Sequence, residues 1–359
     1  MAGVRALMPL APLTSRICQR TFSSRWLEEF ASETVVVCKS EREPLRPAFF
    51  LPGELDRICG VHEFSAGMRD EIGLVTSDVA DHGETIAYRL RDAVLADRCI
   101  CNFWTYRSLT FRRRPIRFER LREAPDGAAL CSTAAGNDYF AHFLMDDINT
   151  ALMGRQFGRV VFANVGVPRT THIKEYLAKL EIAHEDMSRA YFKNLWFFRD
   201  FPQNSHRRGR LRVIRDTFRG SWSLENGESK PAYIRRGASG SERRLENESE
   251  IEELLAARGF VIVDPEKDSL ADVTHKLRDS KLVVGVEGSH LVHALFHLSD
   301  NGTLICIQPA ARFNAVYRGF THMAGLNWGF VVAEGSATCF RLSVDRLLAT
   351  IDMAWGGAG

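Results

Sequence analysis

From residue 231 onward, short apolar runs alternate with stretches whose apolar residues recur at helical spacing. Residues 232–234 read as a strand, after which Ile251, Leu254 and Leu255 share one helix face. Asn247 and Glu250 supply that helix with an N-cap and an acid at its third position, and Gly259 closes it before a strand at 260–263. Ser269 with Asp272 starts the next helix, which sets Leu270, Val273 and Leu277 on one side. A strand at 282–286 follows, then a helix from Ser289 carrying Leu291, Leu295 and Leu298, a turn at Asp300, Asn301 and Gly302, and a strand at 303–307. A helix over 314–325 and a strand at 329–333 complete the series. This alternation predicts a doubly wound parallel α/β sheet with right-handed crossovers.

Before residue 222 the pattern is less regular. Strands are expected at 34–38, 160–165 and 195–198, and helices at 142–153 and 171–180. The polar stretch 220–230 reads as a linker. The expected organisation is a poorly ordered or membrane-touching arm over 1–33, an α/β domain over 34–222, the regular domain over 231–342, and a helix and tail over 343–359 that pack back onto the first domain.

At 359 residues the chain suits about two domains, and a net charge of +2 gives no global argument for nucleic acid. Its eight cysteines form no CxxC pair, and several sit in apolar runs, the usage of reduced buried thiols in a cytosolic protein. No apolar run approaches the roughly 20 residues of a membrane span. The first 27 residues hold Arg5, Arg16, Arg20 and Arg25 and no acid, but Pro9 and Pro12 interrupt the apolar patch, which argues against a targeting peptide. The expected location is the cytoplasm, with peripheral attachment at the inner membrane face.

Four constellations offer chemistry. Glu287, Gly288, Ser289 and His290 form a turn between a strand end and a helix start, where free N–H groups favour an anion. There Gly288 permits close approach, Ser289 caps the helix, and His290 reaches a ligand. No GxGxxG is present, so a dinucleotide fingerprint is missing and a Rossmann oxidoreductase is disfavoured. His290, His293 and His297 share a helix face, but a sheet-packed helix buries such rings more often than it binds zinc, so no metal is expected. Arg235, Arg236, Arg243 and Arg244 present guanidinium forks suited to a diphosphate, with Glu242, Glu246 and Glu248 as competing partners. His142 and Asp146 stand four residues apart on a helix, as a general base and its orienting carboxylate would. A core histidine beside surface acids is the competing reading. Arginines over 107–122 and 207–215 suit an anionic membrane surface, or a solvated edge.

In order and spacing these residues resemble family 61 glycosyltransferases, the group that includes bacterial capsular-polysaccharide biosynthesis proteins. Asn-x-Tyr-Phe-x-His-x-x-x-Asp stands at 137–146, and Tyr-Ile-x-Arg at 233–236, followed by Arg244 and Asn247-Glu248. Gly-x-x-Gly-x-x-Leu-x-x-x-Leu-Phe stands at 285–296, and the next strand ends in Gln308-Pro309. The resemblance spans residues 131–333. It implies two Rossmann-like domains facing a cleft, a GT-B-like fold. It also implies inverting transfer from a nucleotide sugar to a glycan or lipid-linked acceptor in surface or capsular polysaccharide biosynthesis, with no obligatory cofactor. His142 and Asp146 would be catalytic, and Asn137 and Tyr139 would serve the acceptor. Arg235, Arg236, Arg244, Glu287, Gly288, Ser289 and His290 would hold the donor. The chain departs from the family pattern at Glu287, where a His is usual, and at Ser289-His290, which replace Ala-Gly. That departure motivates an alternative, a nucleotide-sugar-binding or scaffold protein of a polysaccharide assembly complex without catalysis.

Overall fold

The computed structural model describes residues 7–21, 26–112, 120–124, 126–166, 168–220, 229–237, 240 and 242–356. The chain folds as two compact units, one formed by Met1–Glu41 and His82–Arg210, the other by Arg42–Asp81 and Leu211–Gly359. The boundary falls inside helix Ser205–Gly220, ahead of the expected linker, whose residues 221–228 lie outside the described residues.

The first unit is built on a mixed sheet, not on a parallel Rossmann-like one. Its main strands are β1 (Glu33–Cys38), β2 (Thr85–Ala96), β3 (Cys99–Cys101), β4 (Tyr106–Ser108), β5 (Ala128–Leu130), β6 (Arg159–Ala163), β7 (His184–Met187) and β8 (Ala190–Arg199). The order β7-β6-β5-β8 is parallel throughout, and β2, β3 and β4 extend it antiparallel from β8, with β1 on β2. Asp97 and Arg98, both at positive φ, make the tight turn that folds β2 back onto β3. Buried Leu90, Leu95, Val161, Phe192, Leu195 and Phe197 form the core on this sheet. The expected loose arm is corrected in part. Helix Ala11–Thr21 has no acid to oppose Arg16 and Arg20, and its Ala11, with Met8 of the turn before it, packs against Val94, Ala96 and Cys101.

The second unit holds the predicted regular series: β9 (Ala232–Ile234), β10 (Val261–Val263), β11 (Leu282–Val286), β12 (Thr303–Pro309) and β13 (Asn327–Gly335). They run parallel in the order β10-β9-β11-β12-β13. Cys339–Arg341 adds antiparallel to β13, and Arg244–Leu245 pairs with Cys339–Arg341. Residues 42–81 join this sheet because Phe49 pairs with its edge: its N–H donates to the Trp328 carbonyl at 3.1 Å, and its carbonyl accepts from Phe330 at 3.2 Å. Its ring occupies the space that Gly329 leaves by lacking a side chain. Buried Glu54 then accepts from Val332 N–H at 2.7 Å and from Arg346 Nε at 3.0 Å, which fixes the loop further. The last helix, Val344–Gly356, puts Leu347 and Ile351 into this same unit's core. Among the described residues, no helix is long and apolar enough to cross a membrane.

Helix starts follow their sequence signals unevenly. Ser269 accepts from Asp272 N–H and Asp272 accepts from Ser269 N–H, a reciprocal capping box. Asn247 precedes its helix, but its side chain ties the backbone of Leu342 instead of capping.

Candidate functional site

In an open α/β sheet, ligands bind outside the carboxyl ends of the strands, where the strand order reverses. In the second unit that point lies between β9 and β11, since β10 and β12 fall on opposite sides of them. Three strand ends deliver side chains there: β9 leads to Arg236, β11 to Glu287 and Gly288, and β12 to Arg312. Glu287 is 5% exposed, and its carboxylate is paired with Arg243 and, at 3.2 Å, with Arg312. Arg243 also donates to the Glu287 carbonyl at 2.6 Å. Three guanidinium groups therefore face one carboxylate. Burial, and then the charge of Arg243, lowers the pKa of both Arg236 and Arg312. A crowd of buried cations is a place where an anion relieves repulsion.

Gly288 lies against this cluster. A Cβ there would stand 3.1 Å from the His290 ring and 3.3 Å from Arg236 Nε, so a larger residue would have to push these side chains back by a few tenths of an ångström. The Tyr317 hydroxyl donates to its carbonyl at 2.7 Å. His290 is 9% exposed, and neither ring nitrogen has a hydrogen-bond partner among the described residues. Burial first, then Arg236, Arg243 and His293, holds its pKa well below the usual histidine value. The ring is therefore neutral. The helix-end argument for this turn is corrected: Ser289–Leu291 is a 3₁₀ turn, and Val292–His297 is a helix of only six residues. Gly288, not Ser289, stands at the N-cap, and no side chain caps it. Side-chain cations, not a helix dipole, make the turn anion-ready.

The first unit has its own reversal point, between β5 and β8, because β6 and β7 lie beyond β5. After β5 the chain passes through Ala134–Asp138 and Phe140–His142, a π-helical turn Phe143–Asp147, and helix Ile148–Gly154. Such turns recur at functional sites. His142 Nδ1 lies 2.7 Å from Asp146 Oδ2, and Arg207 pairs with the other oxygen of Asp146. Arg207 is 1% exposed and also donates to the carbonyls of Met145 at 2.8 Å and Asp200 at 2.6 Å. Burial works to raise the Asp146 pKa, but Arg207 and His142 outweigh it and hold the carboxyl below its ordinary value. Its neighbour Asp147 is raised well above that value, by burial first and then by Asp146. Thr133 donates to one Asp147 oxygen through its N–H at 3.0 Å and its hydroxyl at 2.8 Å. The glycine at 136 leaves the room that this carboxyl fills. The pKa values of two adjacent acids are thus pushed in opposite directions, Asp146 down and Asp147 up. A small hollow beside them is lined by Ser132, Thr133, Asp146, Asp200 and Phe201.

The structure gathers the expected residues selectively. Tyr139 sets its ring edge-on to His142 with centroids 6.0 Å apart, and Asn137 donates to the Leu109 carbonyl at 2.9 Å. Arg236, Glu287, Gly288 and His290 meet. Arg235 does not join them: its Nε donates to Glu252 at 2.7 Å, and its Nη1 to Asp264 at 2.9 Å. Arg244 is exposed and bonds the Cys339 sulfur at 3.3 Å, and the preceding residue, Arg243, reaches Glu287 instead. The three-histidine face also divides. His297 is fully buried, its Nδ1 donating to the His293 carbonyl at 2.7 Å and its Nε2 accepting from Thr274 at 2.9 Å. Desolvation lowers its pKa to about 4.

The basic stretch 207–215 is not a surface patch, since Arg207, Arg210 and Arg215 are all buried. Arg210 forks onto Asp200 at 2.7 and 2.6 Å, and Arg215 holds the carbonyls of Leu295 and Leu298 that end a helix. In the other basic stretch, Arg107 pairs with Glu28, while residues 113–119 lie outside the described residues.

Sequence reasoning missed Arg312 and Arg207 as partners of the candidate carboxylates. It also missed His62, whose pKa is lowered by burial and then by Arg312. Arg312 had a usable signal, its place three residues past a strand end. Arg207 and His62 had none.

No curated protein matches the chain. Residues 140–306 match the family model described as Glycosyltransferase 61. That stretch opens two residues before His142, contains Asp146, Arg207, Arg236, Arg243, Gly288 and His290, and closes inside β12. Over that stretch, a little under half of the chain, the protein is similar to the family 61 glycosyltransferases.

Proposed function

We propose that the protein moves a sugar from a nucleotide-activated donor onto a hydroxyl of a glycan or lipid-linked acceptor, with inversion. The observation that supports this most is the buried cationic cluster at the second unit's reversal point, whose Arg236 and Arg243 fall inside the matched stretch. Arg236, Arg243 and Arg312 would bind the donor diphosphate and stabilise the charge that develops as it leaves. Gly288 would let the backbone lie close to it. His142 would accept the acceptor proton at Nε2, its Nδ1–H held by Asp146. The acceptor oxygen then bonds the anomeric carbon as the bond to the diphosphate breaks, and the electron pair leaves with the diphosphate. The reading needs no cofactor beyond the donor. A GT-B-like pairing of the two units and a place in surface polysaccharide assembly belong to the same proposal and rest on the sequence resemblance.

Glu287 motivated the alternative of an inactive binding or scaffold protein. Arg243 and Arg312 pair with its carboxylate and leave the cluster cationic, so the acid does not bar a diphosphate, and turnover separates the two readings. The test is release of nucleoside diphosphate from a panel of nucleotide sugars, with and without glycan acceptors. Binding without turnover over the whole panel would overturn catalysis in favour of the binding protein.

A further inference from the structure

We propose that His290 is a proton-coupled ligand of the leaving diphosphate: its neutral ring gains a proton when a diphosphate enters the cluster, and it then donates a hydrogen bond to a phosphate oxygen. This rests on the donor reading above. The argument starts from hydrogen-bond supply. A buried imidazole almost always has partners, because an unmet buried N–H or lone pair forfeits the hydrogen bonds it had with water. His290 is buried, and both of its nitrogens lack one among the described residues.

The groups that face it explain the shortage. Arg236, after β9, and Arg243, on the following loop, have only donors to offer, so neither can accept from the ring N–H. His293 lies on its own helix, and the Tyr317 hydroxyl, from helix Val316–Met323, donates to Gly288. The Glu287 carboxylate is turned to Arg243 and Arg312. What is missing is an acceptor with negative charge. A phosphate oxygen supplies both: it accepts from the ring, and its charge offsets the arginines that keep the ring neutral. One proton moves from solvent to the imidazole, and no covalent bond to the diphosphate forms. In turnover, the charged ring adds a donor where the leaving group gathers charge.

The experiment is calorimetric titration of the full chain with ADP, GDP, UDP and CDP near pH 7, in two buffers of different ionisation enthalpy, for the native protein and His290→Gln. We expect at least one of them to bind with net uptake of up to about one proton, which the variant loses together with about tenfold in affinity. Equal proton uptake in the two proteins would overturn the role of His290 and leave the donor site standing. Absence of binding by all four to the native protein would overturn the donor site itself. If His290→Gln does not fold, the ¹⁵N shifts of the native ring decide: unchanged shifts on saturation with the nucleotide that binds would sink the proposal.

Discussion

Asp146 and Glu287 are both buried carboxylates near the carboxyl edge of parallel strands, and each is met by a buried arginine. The surroundings give them opposite uses. In the first unit, one arginine and one histidine share Asp146, so the charges balance and the ring of His142 is oriented. In the second unit, Arg243 and Arg312 share Glu287 while Arg236 stands beside them, so positive charge is left over. The same topological position is thus set to orient a base in one unit and to hold an anion in the other. The acidic residue alone says little; the count of cations around it decides.

The largest effect we expect concerns the base. His142→Ala should slow transfer by about 10²–10⁴-fold while leaving nucleoside diphosphate affinity unchanged, and near-normal turnover would break the assignment. Next comes the partner of Asp146. Arg207→Met strips the buried carboxylate of its arginine and leaves His142 as its charge partner, which should cost roughly 3–5 kcal/mol in urea denaturation. A loss below about 1 kcal/mol would mean that Asp146 is not held charged.

The second unit also offers a pH test. His297 has a pKa of about 4 when folded and an ordinary value of 6.5 when unfolded. Above 6.5 its ring is neutral in both states and its contribution is complete. Between 6.5 and about 4 only the unfolded chain binds the proton, so stability falls with pH, by on the order of 3 kcal/mol. Denaturation of His297→Gln should show a shallower fall over the same range, and an equal slope would refute the burial argument. Smaller again is the donor contrast. Arg243→Met should weaken nucleoside diphosphate binding by roughly 10- to 100-fold. Arg235→Met and Arg244→Met should leave that affinity where it was, and a loss in either would redraw the anion site.

Much of the second unit was legible because its signals are local. Strand and helix periods alternate cleanly from residue 231, and Ser269-Asp272 and Gly259 act where they stand. The first unit was harder. Its long strand β2 returns through Asp97-Arg98, which lacks the glycine that marks most tight hairpin turns, so antiparallel pairing was not foreseen. Residues 42–81 carry no period that tells which sheet they join; a ring of Phe49 fitting over Gly329 settles it. The i, i+4 spacing made His142 and Asp146 neighbours in advance, but a general base and a core pair look alike at that level. For the arginines, a one-residue difference mattered. Arg243 ends the loop and reaches Glu287, whereas Arg244 opens the short strand Arg244–Leu245 and is exposed.

The sequence by itself determined the α/β alternation of the second unit, the turn at Gly288 and the His142–Asp146 spacing, because each follows from a period of a few residues. Only the tertiary structure decided which cations meet Glu287, that the Asp146 pKa is lowered while that of Asp147 is raised, and that His290 is buried beside arginines with no hydrogen-bond partner among the described residues. Those properties depend on burial and on charges tens of residues away in the chain, and local spacing does not encode them.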